Sequence, residues 1–380
     1  MAEAPTPGAL DGITVVDLSR VLAGPHATMI LGDLGADVVK IERPHVGDDT
    51  RTWGPPFVDG TSTYFQATNR NKRSITADLT TPEGRAPILA MLDGADVLVE
   101  NFKPGTMARW GMDPADLVAR HPRLVVCTIT GFGSTPAARE LPGYDLLVQG
   151  ASGLMSITGD ADGPPTKVGV AAVDVLCSLY VTIGVLAALQ ERERSGRGQH
   201  LEVSLLDCAL AALVNQMSGY LLAGQNPTRL GNDHPSIVPY GVYPAADGDF
   251  IVACGNDRQF AAIASVLERP DLAADDRFAT NGARVAHRDE LDPVLRAAFV
   301  ARPRAHWVPE LTRAGVPAGG INSVAEAVEL ATALGVEPVV ELHDDAGVFP
   351  SIRSPLRLAR TPATVRRRPP ALGADNPGDD

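Results

Sequence analysis

Cysteine is scarce in this chain, and the few residues stand apart. Cys127, Cys177, Cys208 and Cys254 make no CxxC pair and no Cys/His cluster. That spacing excludes a zinc-bound or disulfide-built fold and leads us to expect no metal, reduced thiols and a cytoplasmic location. Lysine is as thin, with four residues in 380, and the formal net charge is -13. An acidic protein is repelled at long range by nucleic acid and by anionic membranes, so neither is expected as a partner, and any anionic ligand has to meet a local basic patch. The longest strongly apolar run, Tyr180 to Leu189, is about half of the ~20 residues that a bilayer span needs and reads as a buried helix. The opening "MAEAPTPGALDG" has neither the basic start nor the apolar block of a secretory leader. Two catalytic fingerprints are missing as well. There is no GxSxG, and at the first strand-to-helix turn "RVLAGPHA" offers one glycine where GxGxxG would expose bare amides to a pyrophosphate.

What is present is an ordinary globular composition, 44% hydrophobic and 21% charged, long enough for two or three domains. "DGITVVDLS" reads as a buried strand, Gly24-Pro25 opens a helix that stops at Gly35, and "ADVVKIE" is a second strand. Thr81-Pro82 opens another helix, closed near Gly94 before a strand from Asp96 to Glu100, and "RLVVCTITGFG" adds a further strand. This alternation predicts an α/β fold with a Rossmann-like parallel sheet. A helix carrying Asp174 follows, then the strand "HLEVSLLD" and a helix from about Cys208 to Leu222. We divide the chain into a large domain over 1–224, a linker over 225–240, a smaller α+β domain over 241–330, and a return segment over 331–380. That segment packs on the large domain and ends in a loose tail, "RRRPPALGADNPGDD".

Asp174 is the one charge in "VGVAAVDVLCSLYVTIGVLAAL". It reads as a helix N-cap, as a buried charge with a distant partner, or as a nucleophile kept ionised by a helix start and stripped of water by apolar walls. Asp145, in "GYDLLVQGASG" after Tyr144, is accounted for by capping its own helix. Basic residues gather in the first third: Lys40 with Arg43, Lys72 between Arg70 and Arg73, and Lys103 before Arg109. Singly each is a solvated charge; together, at the carboxyl ends of parallel strands, they suit a polyphosphate ligand.

The stretches "LDGITVVDLSRVLAGP", "LGDLGADVVKIERP", "NRNKRSITADLTTPEG", "DVLVENFKPG", "GYDLLVQGASGLMSITGDADGPPTKVGVAAVDVLCSLY" and "RSGRGQHLEVSLLDCAL" together resemble the class III CoA-transferases. These are the formyl-CoA, carnitine and succinyl-CoA-dependent dicarboxylate transferases, with α-methylacyl-CoA racemases as relatives. The resemblance, from about Leu10 to Pro362, implies coenzyme A or acyl-CoA as substrate and thioester exchange through a covalent aspartyl intermediate on Asp174, with Tyr144 and Asp145 beside it. It implies that Val21 and Arg43 contact the nucleotide and Ala77 and Thr80 the region of the pyrophosphate, with Asn101 and Phe102 against the adenine and Arg109 stacked opposite. It also implies an interlocked homodimer, the small domain of one chain closing over its partner's site with backbone amides for developing oxyanions. Racemases of this group carry a histidine where Tyr144 stands, so transfer is favoured over racemisation. Leu22 replaces a glutamine that touches the acyl group in formyl-CoA transferase, and "RLGNDHPSIVPYGVYPAADG" is shorter than that enzyme's second-domain insertion. The first puts oxalate specificity in doubt and the second resembles the succinyl-CoA-dependent branch, so the expected donor is succinyl-CoA or a similar short acyl-CoA and the acceptor a small carboxylic or dicarboxylic acid. The alternatives are a 2-methylacyl-CoA racemase and a CoA-binding protein without turnover, the latter disfavoured by the intact Asp174.

Overall fold

The computed structural model describes residues 7–378 in two compact units. One comprises the chain up to Leu154, 167–226 and everything from Val336; the other comprises 155–166 and 227–335.

In the larger unit six strands lie parallel: β1 (Thr14–Asp17), β2 (Asp37–Glu42), β3 (Lys72–Thr76), β4 (Val97–Glu100), β5 (Val125–Thr130) and β6 (His200–Ser204). Their order is β3-β2-β1-β4-β5-β6, the doubly wound arrangement expected from the sequence. The winding reverses between β1 and β4, so the loops leaving their carboxyl ends diverge and open a crevice. The sheet is covered on both faces because its strands are apolar at successive positions. Val15, Val97, Val99 and Val125 face one core with the helices α1 (Ala23–Asp33) and, later in the chain, Ala172–Ser195; Val16, Val39, Leu98 and Val126 face the other with α2 (Pro82–Leu92). Local signals set the helix ends: Thr81 accepts from the Gly84 amide with Pro82 at the first helical position, and Gly35, at φ 118°, turns the chain out of α1.

The rest of this unit carries α3 (Asp145–Ala151), α4 (Ala172–Ser195), α5 (Leu205–Ala212) and α6 (Val214–Ala223). By length and composition α4 could cross a bilayer. Here its stripe of Val173, Cys177, Val181 and Val185 is fully buried in the sheet core. The single helix expected over Cys208 to Leu222 is two, bent by 79°, because Val214 adopts a left-handed φ of 39°. Another expectation to be corrected is the loose tail. Arg366 donates to the carbonyls of Gly32, Gly35 and Ala36 at the end of α1. Beyond it the tail runs along β3, whose other side pairs with β2: Ser74 and Asp375 exchange bonds of 2.8 and 2.9 Å, and the Thr76 amide donates to Asn376.

The smaller unit is an antiparallel sheet of β7 (Tyr240–Ala245), β8 (Gly248–Ala253) and β9 (Ala318–Gly320). Helices including Asp257–Val266 and Arg288–Phe299 close it over an aromatic core of Tyr243, Phe250, Phe260, Phe299 and Trp307.

Candidate active site

The loop that leaves β1 is shaped from below by buried charge. Asp17, at the end of β1, is fully buried and accepts from the Ser19 amide, the Thr28 hydroxyl and the Lys72 ammonium. Burial alone would raise its carboxyl, but Lys72, Lys40 and the two hydroxyls of Ser19 and Thr28 bring it down to about 2. Lys40, equally buried, pairs with Asp48 at 2.9 Å and donates to the Ser19 carbonyl at 2.9 Å. Asp48 in turn accepts from the Val21 amide at 3.3 Å, holding this β-branched residue at a strained φ of 73°. Across the crevice Asn101, just after β4, clamps the main chain of Arg20 from both sides: the Arg20 amide donates to Oδ1 at 2.9 Å and Nδ2 donates to the Arg20 carbonyl at 2.7 Å.

These contacts correct the expected polyphosphate patch for four of its residues, while Arg43 and Lys103 do line the cavities at this edge. Lys40 and Lys72 face the core; Arg70 is buried against Asp33, and Arg73 pairs with Asp37 at the amino end of β2. Strand order explains it, since β3, β2 and β1 are neighbours and bring Lys72, Lys40 and Asp17 together. Lys72 shows the strain of that position: burial lowers its ammonium to about 8 although Asp17 supports the charge.

Two carboxylates, Asp174 and Asp145, lie in the wall of the crevice. Asp174 is the third residue of α4, and Ala171 at the cap position contributes no side-chain bond. It is therefore not the N-cap. That role falls to Asp145, which does not cap its own helix α3 either, Tyr144 preceding it there. Asp145 reaches over to α4, where Oδ1 accepts from the amides of Val173 at 2.8 Å and Asp174 at 3.2 Å, while Oδ2 accepts from Gln149 at 2.6 Å. Asp174 is half-buried. Burial first, and the charge of Asp145 second, push its carboxyl up to about 7. Tyr64 stands close enough that burial, followed by Asp174 and Asp145, raises its phenol to about 12.

Two adjoining cavities run along this edge. The first, about 360 Å³, contains Val21, Asn101, Phe102, Tyr144, Asp145 and Asp174 in its wall. Gly131 and Gly143 in its wall bring two backbone segments together, since a Cβ on either would lie within 2.6 Å of the other's Cα. The second, about 300 Å³, is lined by Arg43, Ala77, Thr80 and Phe102. Arg20, Phe102 and Lys103 belong to both walls, so the two form one groove. Nine of the residues nominated from the sequence thus meet in one groove. Arg109 is the exception: it lines neither cavity, and its Nη2 donates to Thr106 at 2.9 Å. The cation over the Phe102 ring is Arg20, at 5.3 Å, with Trp110 edge-on at 5.0 Å. Asn101 lines the groove, but its amide is already engaged with the Arg20 main chain. Sequence reasoning missed Arg20, Asp48 and Tyr64. Arg20 lay inside the quoted "DLSRVLAGP" without a feature of its own, and the other two reach the site through tertiary packing. Among the described residues no group of three or more His, Cys, Asp or Glu is gathered to hold a metal ion.

The model of CoA-transferase family III matches residues 10–376. A succinate–glutarate CoA-transferase from Agrobacterium fabrum is 45% identical, the match covering 96% of this chain and 93% of the relative. An acetyl-CoA:oxalate CoA-transferase from Acetobacter aceti is 44% identical, over 85% of this chain and 83% of that one. Among solved structures, a CaiB/BaiF family protein from Brucella suis superimposes with a TM-score of 0.85 at 45% identity over 97% of both chains.

Proposed function

We propose that this chain, which belongs to CoA-transferase family III, moves CoA from succinyl-CoA or a similar short acyl-CoA to a small dicarboxylic acid by way of Asp174. It is an enzyme of the CoA-transferase class, acting on CoA thioesters. The observation that carries the finer reading is a half-buried carboxylate in a groove wall, raised to about 7 and fixed on a helix whose first amides are already capped by Asp145. Such a group is ionised in good part near neutrality and more nucleophilic than an exposed carboxylate.

In this reading an Asp174 oxygen attacks the thioester carbonyl, the C–S bond breaks, and an acyl-aspartyl anhydride and CoA thiolate result. The thiolate attacks the aspartyl carbonyl, releasing the donor acid and leaving an aspartyl-CoA thioester. The acceptor carboxylate attacks that thioester to give a second anhydride and thiolate. Attack of the thiolate on the acceptor's carbonyl yields the new acyl-CoA and restores Asp174. Each step exchanges one activated acyl group for another, so no nucleoside triphosphate is consumed. Support for succinate and a dicarboxylic partner comes from the relative named for succinate and glutarate, and Tyr144 in place of a second base disfavours racemisation.

Incubation with succinyl-CoA followed by hydroxylamine should leave a hydroxamate on Asp174, read by peptide mass spectrometry. A protein that transfers CoA with Asp174 unmodified overturns the intermediate. A cytoplasmic homodimer belongs to the same reading; sedimentation at twice the chain mass supports it, and a fully active monomer removes it.

A further inference from the structure

Arg20 is the unsatisfied cation of the groove. A guanidinium carries five N–H donors, yet among the described residues the Arg20 side chain makes no hydrogen bond, and its Nε is buried without a partner. Its one ion pair, to Asp49, is long at 3.6 Å, and the other oxygen of that carboxylate is held by Arg43 at 2.5 Å. The second cation of the shared wall, Lys103, pairs with Glu140 at 2.6 Å. Meanwhile the main chain of Arg20 is fixed by Asn101 and its guanidinium sits over the Phe102 ring. The side chain is thus anchored at its main chain and over a ring, lines the same cavity wall as Asp174, and keeps its donors without a hydrogen-bond partner among the described residues.

A dicarboxylic acid that reacts at one end brings a second carboxylate into a cavity that already contains Asp145 and Asp174. Without a cation that charge is repelled and desolvated with no partner. We propose that Arg20 selects for dicarboxylic acids by receiving the carboxylate that does not react, in the donor's acyl group and in the acceptor alike. This rests on the transferase reading above. Guanidinium also suits phosphate, so the diphosphate of CoA is the competing occupant, and the test separates the two.

Wild type, Arg20→Met and Arg20→Lys are compared with succinyl-CoA as donor and either glutarate or butyrate as acceptor, and the binding of free CoA is measured by calorimetry. In Arg20→Met the glutarate-to-butyrate ratio of kcat/KM is expected to fall on the order of 10- to 100-fold, the loss typical of a charge-assisted contact. Arg20→Lys should restore part of the ratio, and CoA affinity should stay within about threefold. An unchanged ratio overturns the proposal, as does a parallel fall for both acids with weakened CoA binding, which assigns Arg20 to the diphosphate. Failure of the wild type to transfer CoA to any acid overturns the transferase reading instead.

Discussion

Two groups of charges share the carboxyl edge of the sheet, and they are built in opposite ways. Under the β1 loop, Asp17, Lys72, Lys40 and Asp48 are buried and bonded on every side. Facing the crevice, Asp174 on α4 has its carboxylate half-buried with no ion pair among the described residues, and Arg20 on the β1 loop has a guanidinium whose ion pair to Asp49 is long, at 3.6 Å. Saturated charges fix a shape, because any motion would break several low-dielectric bonds at once. Unsaturated ones hold interactions in reserve for a ligand or a reacting group. The first cluster holds the strained Val21 turn through Asp48.

The comparison breaks most visibly at Asp174. Asp174→Asn should lower kcat by about 10³-fold or more while making the protein more stable at pH 8. The sign follows from the carboxyl being raised from 3.8 to about 7 in the fold. Its ionised form is disfavoured there, so wild-type stability is lost as pH rises through that value. The gain in Tm should be fullest above pH 7 and vanish near pH 4, measured by thermal melts across that range. An inactive variant with no such pH dependence would mean that Asp174 is not held raised.

Lys72→Met tests the saturated side. Leaving Asp17 buried with one cation fewer should cost about 3 kcal/mol, read as a lower urea midpoint at unchanged m. A cost under about 1 kcal/mol would show that the cluster is not structural. The smallest effect is expected at Asp145→Asn. The amide oxygen can still accept from Val173 and Asp174, but the like charge is gone. The acid limb of kcat/KM, expected near pH 7 in the wild type from the raised Asp174 carboxyl, should move to lower pH with activity kept within about tenfold. A limb that stays in place would assign the shift of Asp174 to burial alone.

Much of this is legible in the sequence. Apolar runs punctuated by Thr-Pro and Gly located β1, β2, β4, α1 and α2, because strand burial and helix ends are local chemistry. Asp174 stood out as one charge among apolar neighbours. What stayed hidden depended on which segments become neighbours. Lys72 looked like a ligand-binding lysine until β3 placed it 3.0 Å from Asp17, a residue 55 positions earlier in the chain. Asp145 looked like the cap of its own helix because its true partners lie 28 and 29 positions away, beyond a loop. The tail read as loose because its polar composition says nothing of the open strand beside it.

That tail has a practical bearing. An uncapped outer strand is a template on which other molecules can add themselves, the first step of many precipitates. Because Asp375 and Asn376 occupy the main-chain groups of Ser74 and Thr76, losing these two residues would bare that strand and make the protein prone to self-adhesion.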